Sequence, residues 1–127
     1  MQKVWLYGRD SVKDVFPASQ LEELHRYAEE NQLKIVGVSF DTCGWESLDR
    51  KGLNEAIQAI NDKEANAILV VRLNRISKSI EGAKAFAELI GEPDRLIITD
   101  ADDTVAWDAM KGELFGAESP ELSFGSF

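Results

Sequence analysis

The sequence predicts a three-layer α/β domain: a mainly parallel sheet of four or five strands with helices on both faces. Three observations predict it. Four short runs, at residues 4–7, 35–40, 67–71 and 96–99, are nearly continuous in apolar character and rich in Val, Ile and Leu, as strands covered on both faces of a parallel sheet are. Amphipathic helical patterns separate the runs. One strand and one helix together occupy roughly 30 residues, the length of a βαβ unit, and right-handed crossovers then place helices on both faces.

Each element has its own warrant. The first strand, 4–7, runs into Tyr7-Gly8-Arg9-Asp10-Ser11. The first helix, 19–31, carries Leu21, Leu24, Tyr27 and Ala28 on one face, with Pro17 upstream as a start signal. The second strand, 35–40, ends near Asp41, and Asp49-Arg50-Lys51-Gly52 precedes the second helix. That helix, 53–60, repeats Leu53, Ala56, Ile57 and Ile60. The third strand, 67–71, runs into Arg72-Leu73-Asn74-Arg75-Ile76-Ser77-Lys78-Ser79. The third helix, 80–90, has Ala83, Phe86, Ala87 and Ile90 at helical spacing, and the fourth strand is 96–99. Residues 100–104 read as an acidic loop and 105–115 as one short helix. Residues 116–127 read as a tail, either loose or docked through Leu122, Phe124 and Phe127. The expected division is a domain at 1–100 and an acidic C-terminal segment at 101–127.

At 127 residues and 14.1 kDa the chain is long enough to bury one core. Its 44% apolar and 29% charged residues are ordinary globular composition. No apolar run approaches the ~18 residues of a membrane span, and the start, MQKVWLYGRD, lacks the apolar stretch of a secretory signal. Cys43 is the only cysteine, so no internal disulfide forms and a cytoplasmic setting is expected. The net charge of −9 argues against strong nucleic-acid binding by the chain alone. Residues 100–127 hold seven acids and one base, so the acidity is concentrated at that end.

Ligands of open parallel sheets bind beyond the carboxyl ends of the strands. Of six arginines, Arg9, Arg50, Arg72 and Arg75 fall on or near that edge. Guanidinium forks match pairs of phosphate oxygens. Several of them around one hydroxyl suit phosphoryl transfer, where charge grows on the non-bridging oxygens. Ser11 is the hydroxyl best placed to attack. The residues alone leave a second reading open, in which Asp10 and Ser11 start a turn and the arginines pair with surplus carboxylates.

Three motifs carry a resemblance. Tyr7-Gly8-Arg9-Asp10-Ser11 is similar to the Tyr-x-Arg-x-Ser opening of serine recombinases, the resolvase/invertase family, and Gln20 with Leu21 and Leu24 fits that family's Gln-led first helix. Asp41 stands where the family has an Asp after its second strand. Asp49-Arg50-Lys51-Gly52-Leu53 resembles its Asp-Arg-x-Gly-Leu segment, and Leu73-Asn74-Arg75-Ile76-Ser77-Lys78-Ser79 its Leu-Asp-Arg-Leu-x-Arg-Ser segment. The resemblance implies a resolvase-like catalytic domain that cuts DNA with a serine hydroxyl, holds the strand as a phosphoserine ester and rejoins it, with no metal and no high-energy cofactor. On it Ser11 is the nucleophile, Arg9, Arg50 and Arg75 bind the scissile phosphate, and Tyr7 and Gln20 support the site.

Two positions depart from the family's pattern. Asn74 stands where the family has Asp, and a neutral amide cannot exchange a proton as a carboxyl does. Lys78 stands where the family has Arg, which keeps the charge and loses the bidentate fork. No basic arm or helix-turn-helix pattern is visible, so DNA contact is expected from a partner: a second copy or a DNA-binding recombinase subunit. The alternative function is a weakened or inactive resolvase-fold protein acting as an interaction partner or regulator. A further possibility is that the acidic end covers the arginine-lined edge as a DNA mimic.

Other patterns carry less. Asp100-Ala101-Asp102-Asp103-Thr104 fits the Asp-x-Asp-x-Thr of haloacid-dehalogenase-type phosphotransferases, but follows the fourth strand where that family has it on the first. A Toprim site lacks its Glu after strand one, a receiver domain its acidic pair there, and a dinucleotide fold its Gly-x-Gly-x-x-Gly. The one histidine, His25, reads as a surface residue. Cys43 reads as a partly buried thiol, and Trp5, Trp45 and Trp107 as packing residues.

Overall fold

Alternation along the strands sorts the apolar side chains into two sets, one for each face of a sheet. The computed structural model describes residues 1–11 and 18–114, so Pro17 and the tail with Leu122, Phe124 and Phe127 lie outside the described residues. The elements run β1 (Lys3–Asp10), α1 (Ala18–Glu30), β2 (Lys34–Thr42), α2 (Lys51–Asn61), β3 (Ala67–Val70), a 3-10 turn (Leu73–Arg75), α3 (Ile80–Ile90), a second 3-10 turn (Pro93–Arg95), β4 (Leu96–Ile98) and α4 (Ala101–Leu114). The four strands form one sheet in the order β2-β1-β3-β4, and every pairing is parallel. Val4, Leu6, Ala67 and Leu69 meet Leu24 and Ala28 of α1 on one face. Tyr7, Ile68, Val70, Leu96 and Ile98 meet Leu53, Ile57 and Ile60 of α2 and Phe86 and Ile90 of α3 on the other. The expected three-layer α/β architecture is therefore the observed one.

Two local expectations change. The second strand was expected to be covered on both faces. Among the described residues it is an edge strand paired only to β1; Ser39 is its one buried residue, while Val38 and Phe40 are exposed. Residues 101–104, expected to be loop, are the first turn of α4. The Asp100 carboxylate accepts from the Asp103 N–H at 3.0 Å and caps the helix, which lets an acidic stretch begin it. Trp107 then anchors α4 in the α2–α3 core.

Helix ends set the strand-to-helix joints. Gly52 permits a close approach: a Cβ there would stand 2.7 Å from the Phe40 carbonyl and 2.9 Å from Asp41 Oδ2. At the far end of α3, Gly91 takes a left-handed conformation, φ 79°, and its N–H closes the helix on the Ala87 carbonyl.

Candidate active site

The sheet changes winding direction between β1 and β3, since β2 lies to one side of β1 and β3 and β4 to the other. The crevice beyond such a switch is where parallel sheets take their ligands. The chain leaves β1 through Arg9, Asp10 and Ser11, and leaves β3 through residues 71–79.

Arg9 is only 1% exposed. Each of its guanidinium nitrogens donates to a backbone carbonyl: Nε to Arg75 at 3.1 Å, Nη1 to Cys43 at 2.9 Å and Nη2 to Asn74 at 2.7 Å. Gln20, in the first turn of α1, holds the Arg9 backbone from both sides. Its amide oxygen accepts from the Arg9 N–H at 3.1 Å, and its amide nitrogen donates to the Arg9 carbonyl at 2.9 Å. Gln20 thus ties α1 to the strand end that carries Ser11.

Arg50 immediately precedes α2 and is 4% exposed. Its Nε donates to the Ser47 carbonyl at 2.8 Å. Its Nη1 donates to the Arg75 carbonyl at 2.9 Å and to the Tyr7 hydroxyl at 3.4 Å. Its Nη2 donates to the carbonyls of Trp45 and Ile76. The Arg75 carbonyl therefore receives both Arg9 and Arg50. Arg75 in turn donates Nη1 to the Arg9 carbonyl at 2.9 Å, while its Nε and the Asn74 Oδ1 are buried with no hydrogen-bond partner.

The three guanidiniums are neighbours, and no ion pair neutralises any of them among the described residues. Burial pulls the Arg9 guanidinium below its ordinary value, and the like charges of Arg50 and Arg75 act in the same direction. Burial pushes the Tyr7 phenol far above its ordinary value; the bond from Arg50 opposes this, and Asp41 reinforces it. The Tyr7 hydroxyl donates to Asp41 Oδ2 at 2.7 Å. The same Asp41 carboxylate accepts the Gly52 and Leu53 N–H groups at 2.8 and 3.0 Å. It caps α2 from a neighbouring strand, because Arg50 offers no side-chain acceptor at the N-cap.

The family profile described as Resolvase, N terminal domain, matches residues 4–115. The chain belongs to the resolvase N-terminal domain family. Solved structures with the same fold include the N-terminal catalytic domain of TP901-1 integrase, with TM-score 0.69 and 18% identity, over 88% of this chain and 93% of that one. The C-terminal catalytic domain of ISC1926 TnpA, an IS607-like serine recombinase, has TM-score 0.67 and 20% identity, over 93% and 89%. A resolvase family site-specific recombinase from Streptococcus pneumoniae has TM-score 0.62 and 19% identity, over 87% and 85%. No curated protein matches the chain in sequence.

Within this resolvase-family domain the structure brings Tyr7, Arg9, Gln20, Arg50, Asn74 and Arg75 into one hydrogen-bonded cluster. Ser11 is exposed two residues beyond Arg9. Lys78 stands apart: it is exposed and lines a separate recess with Arg72, Asn74, Ser77 and Ser79. His25 is exposed and Cys43 half-buried. Among the described residues, no group of three or more His, Cys, Asp or Glu is placed to hold a metal ion, and no helix is long and apolar enough to cross a membrane.

Sequence reasoning noted Asp41 without giving it a task; an acid at a strand end ahead of a helix with no capping side chain was the available signal. It missed the carbonyls of Cys43, Trp45 and Ser47, which leave no side-chain signature. It also gave no role to the contact between Arg72 and Asp103.

Proposed function

We propose that this resolvase-family domain cleaves and rejoins DNA strands through a phosphoserine ester formed on Ser11. The observation that carries the reading is the cluster of Arg9, Arg50 and Arg75, three cations from three separate segments at the switch point of the sheet, with an exposed serine two residues beyond Arg9 in the chain. Cations with no ion pair among the described residues suit a site whose anion arrives with the substrate. The Ser11 hydroxyl would lose its proton and its oxygen attack the phosphorus, while the bond to one strand oxygen breaks and that oxygen leaves as a protonated strand hydroxyl; the ester keeps the energy needed for rejoining. Arg75, which lines a surface recess with Gln20 and Arg72, is the first of the three that a phosphate meets. Arg50, whose bonds engage every one of its N–H groups, reaches phosphate oxygens only by exchanging partners, and Arg9, buried under the loops that it holds, only once those loops move. Catalysis on this reading therefore includes a shift of the 73–76 turn and the 43–47 loop. DNA is the substrate, and a further subunit, a second copy or a DNA-binding recombinase, completes the assembly.

The test is covalent trapping. The protein is incubated with supercoiled or nicked DNA, denatured and searched for a protein–DNA adduct. The reading expects an adduct that Ser11→Ala abolishes; an absence that persists with Asn74→Asp and with an added DNA-targeting domain, or an adduct that survives Ser11→Ala, overturns it.

A second reading, a weakened or inactive resolvase-fold partner, is favoured by Asn74, a neutral amide whose oxygen is buried and unbonded. If a missing carboxyl at this position is what limits the rate, Asn74→Asp raises adduct yield by about tenfold or more. An unchanged yield assigns the limit elsewhere.

A further inference from the structure

Arg72 belongs to none of the motifs, yet it stands between the two recesses at the sheet edge. It lines one with Gln20, Glu23, Arg75 and Asp100 and the other with Asn74, Lys78, Ser79 and Asp103. Its side chain is 49% exposed, and its guanidinium faces two carboxylates at the start of α4: Nη1 lies 3.7 Å from Asp100 Oδ1 and Nη2 3.5 Å from Asp103 Oδ1. The other oxygen of Asp103 accepts the Leu73 backbone N–H at 2.8 Å. One carboxylate thus bridges a backbone N–H and a guanidinium, the pair of donors that binds a phosphate oxyanion. The N–H contact is short, whereas the ionic contacts are long and partly solvated, which makes them weak.

We infer that Arg72 and the Leu73 N–H form a binding site for a DNA backbone phosphate next to the scissile one, and that Asp103, with Asp100, occupies this site as an internal competitor. The inference rests on the DNA-acting reading above and adds to it a phosphate subsite with its own gate. The first turn of α4 acts here as a clasp. While it is closed, two carboxylates repel an approaching phosphate and hold Arg72 against α4. An arriving strand displaces Asp103 from Arg72 and takes its place. Binding at this edge therefore depends on the charge of residue 103 more than on that of its neighbours. Asp102, exposed and one residue earlier in the same helix, adds the same formal charge with no contact to Arg72 and serves as the matched control.

The experiment compares binding of a short labelled duplex by the full chain, at low salt and across a salt series. Asp103→Asn keeps an oxygen for the Leu73 N–H in the unbound protein and leaves the Asp100 cap on the residue-103 N–H in place, so the α4 start stays folded. It is expected to tighten binding about three- to tenfold and to steepen the log–log salt dependence by up to about one unit, because no displaced carboxylate then takes up a cation in return for those released from the phosphate. Asp102→Asn changes affinity by less than about twofold, because an exposed charge outside the contact is screened. Arg72→Gln added to Asp103→Asn removes both the gain and the steeper slope. An equal gain from Asp102→Asn, a gain that survives Arg72→Gln, or no duplex binding by any variant overturns the clasp. The two readings fail separately. A Ser11-dependent adduct with a flat binding comparison removes the clasp and leaves the proposed chemistry. The expected binding pattern without an adduct removes the chemistry and leaves the clasp.

Discussion

Arg9 and Arg50 spend their guanidiniums on backbone, and that sets what single substitutions do. Arg50 holds carbonyls of Ser47, Trp45, Arg75 and Ile76, so Arg50→Met leaves buried acceptors unpaired. Urea unfolding should show a loss of about 2–4 kcal/mol, separately from any loss of DNA chemistry. Tyr7 supplies a pH signature. Its folded value is raised by burial, whereas in the unfolded chain the phenol ionises near 10. The stability it contributes is fully present below pH 10 and is lost as pH rises above it, by roughly 1.4 kcal/mol per pH unit. Comparing urea midpoints at neutral pH and at pH about 11, Tyr7→Phe should lose less stability than the wild type; equal losses would contradict a protonated, buried phenol. The identity of these residues was legible in the sequence, because the motifs sit at strand ends in the expected order. Their orientation was not. An arginine at a strand end reads as exposed, and only the loops folding back over Arg9 bury it.

At the scale of elements, residue Asp41 does the joining. It links β2 to the first turn of α2 through two backbone N–H groups and to β1 through Tyr7. Asp41→Ala removes the side chain that accepts the Gly52 and Leu53 N–H groups at that helix start, so unfolding free energy should fall by about 2–3 kcal/mol. Helix content lost on warming should begin at lower temperature, as read by far-ultraviolet circular dichroism. Hydropathy located every strand and the span of α3, since Ala83, Phe86, Ala87 and Ile90 face one core. It stopped β1 at Tyr7, although the parallel ladder to β2 continues through Arg9 with Asp41 and Asp10 with Thr42. Backbone pairing of polar residues has no hydropathy signal. The start of α4 was hidden for a related reason: Asp100, Asp102 and Asp103 lower local apolarity, and what makes them helical is a cap and a bond to Leu73.

Across the whole molecule, a chain of net charge −9 carries its catalytic candidates on a cationic edge, with an acidic helix start against that edge. The sheet order places β1 and β3 side by side, so motifs far apart in sequence share one crevice. Long-range attraction for DNA is weak in such a field, and binding should rely on local contacts and on partner subunits. The fold class was therefore legible from strand and helix periodicity. The resting state of the site was not, because it depends on which acceptors the arginines choose. Whether the Ser11 oxygen takes the phosphate is read directly by protease and nuclease digestion of protein–DNA adducts, followed by mass spectrometry. The expected result is a nucleotide joined through its phosphate to the peptide carrying Ser11, and none on that peptide from Ser11→Ala protein; a nucleotide on any other residue, or none at all, would contradict the phosphoserine chemistry.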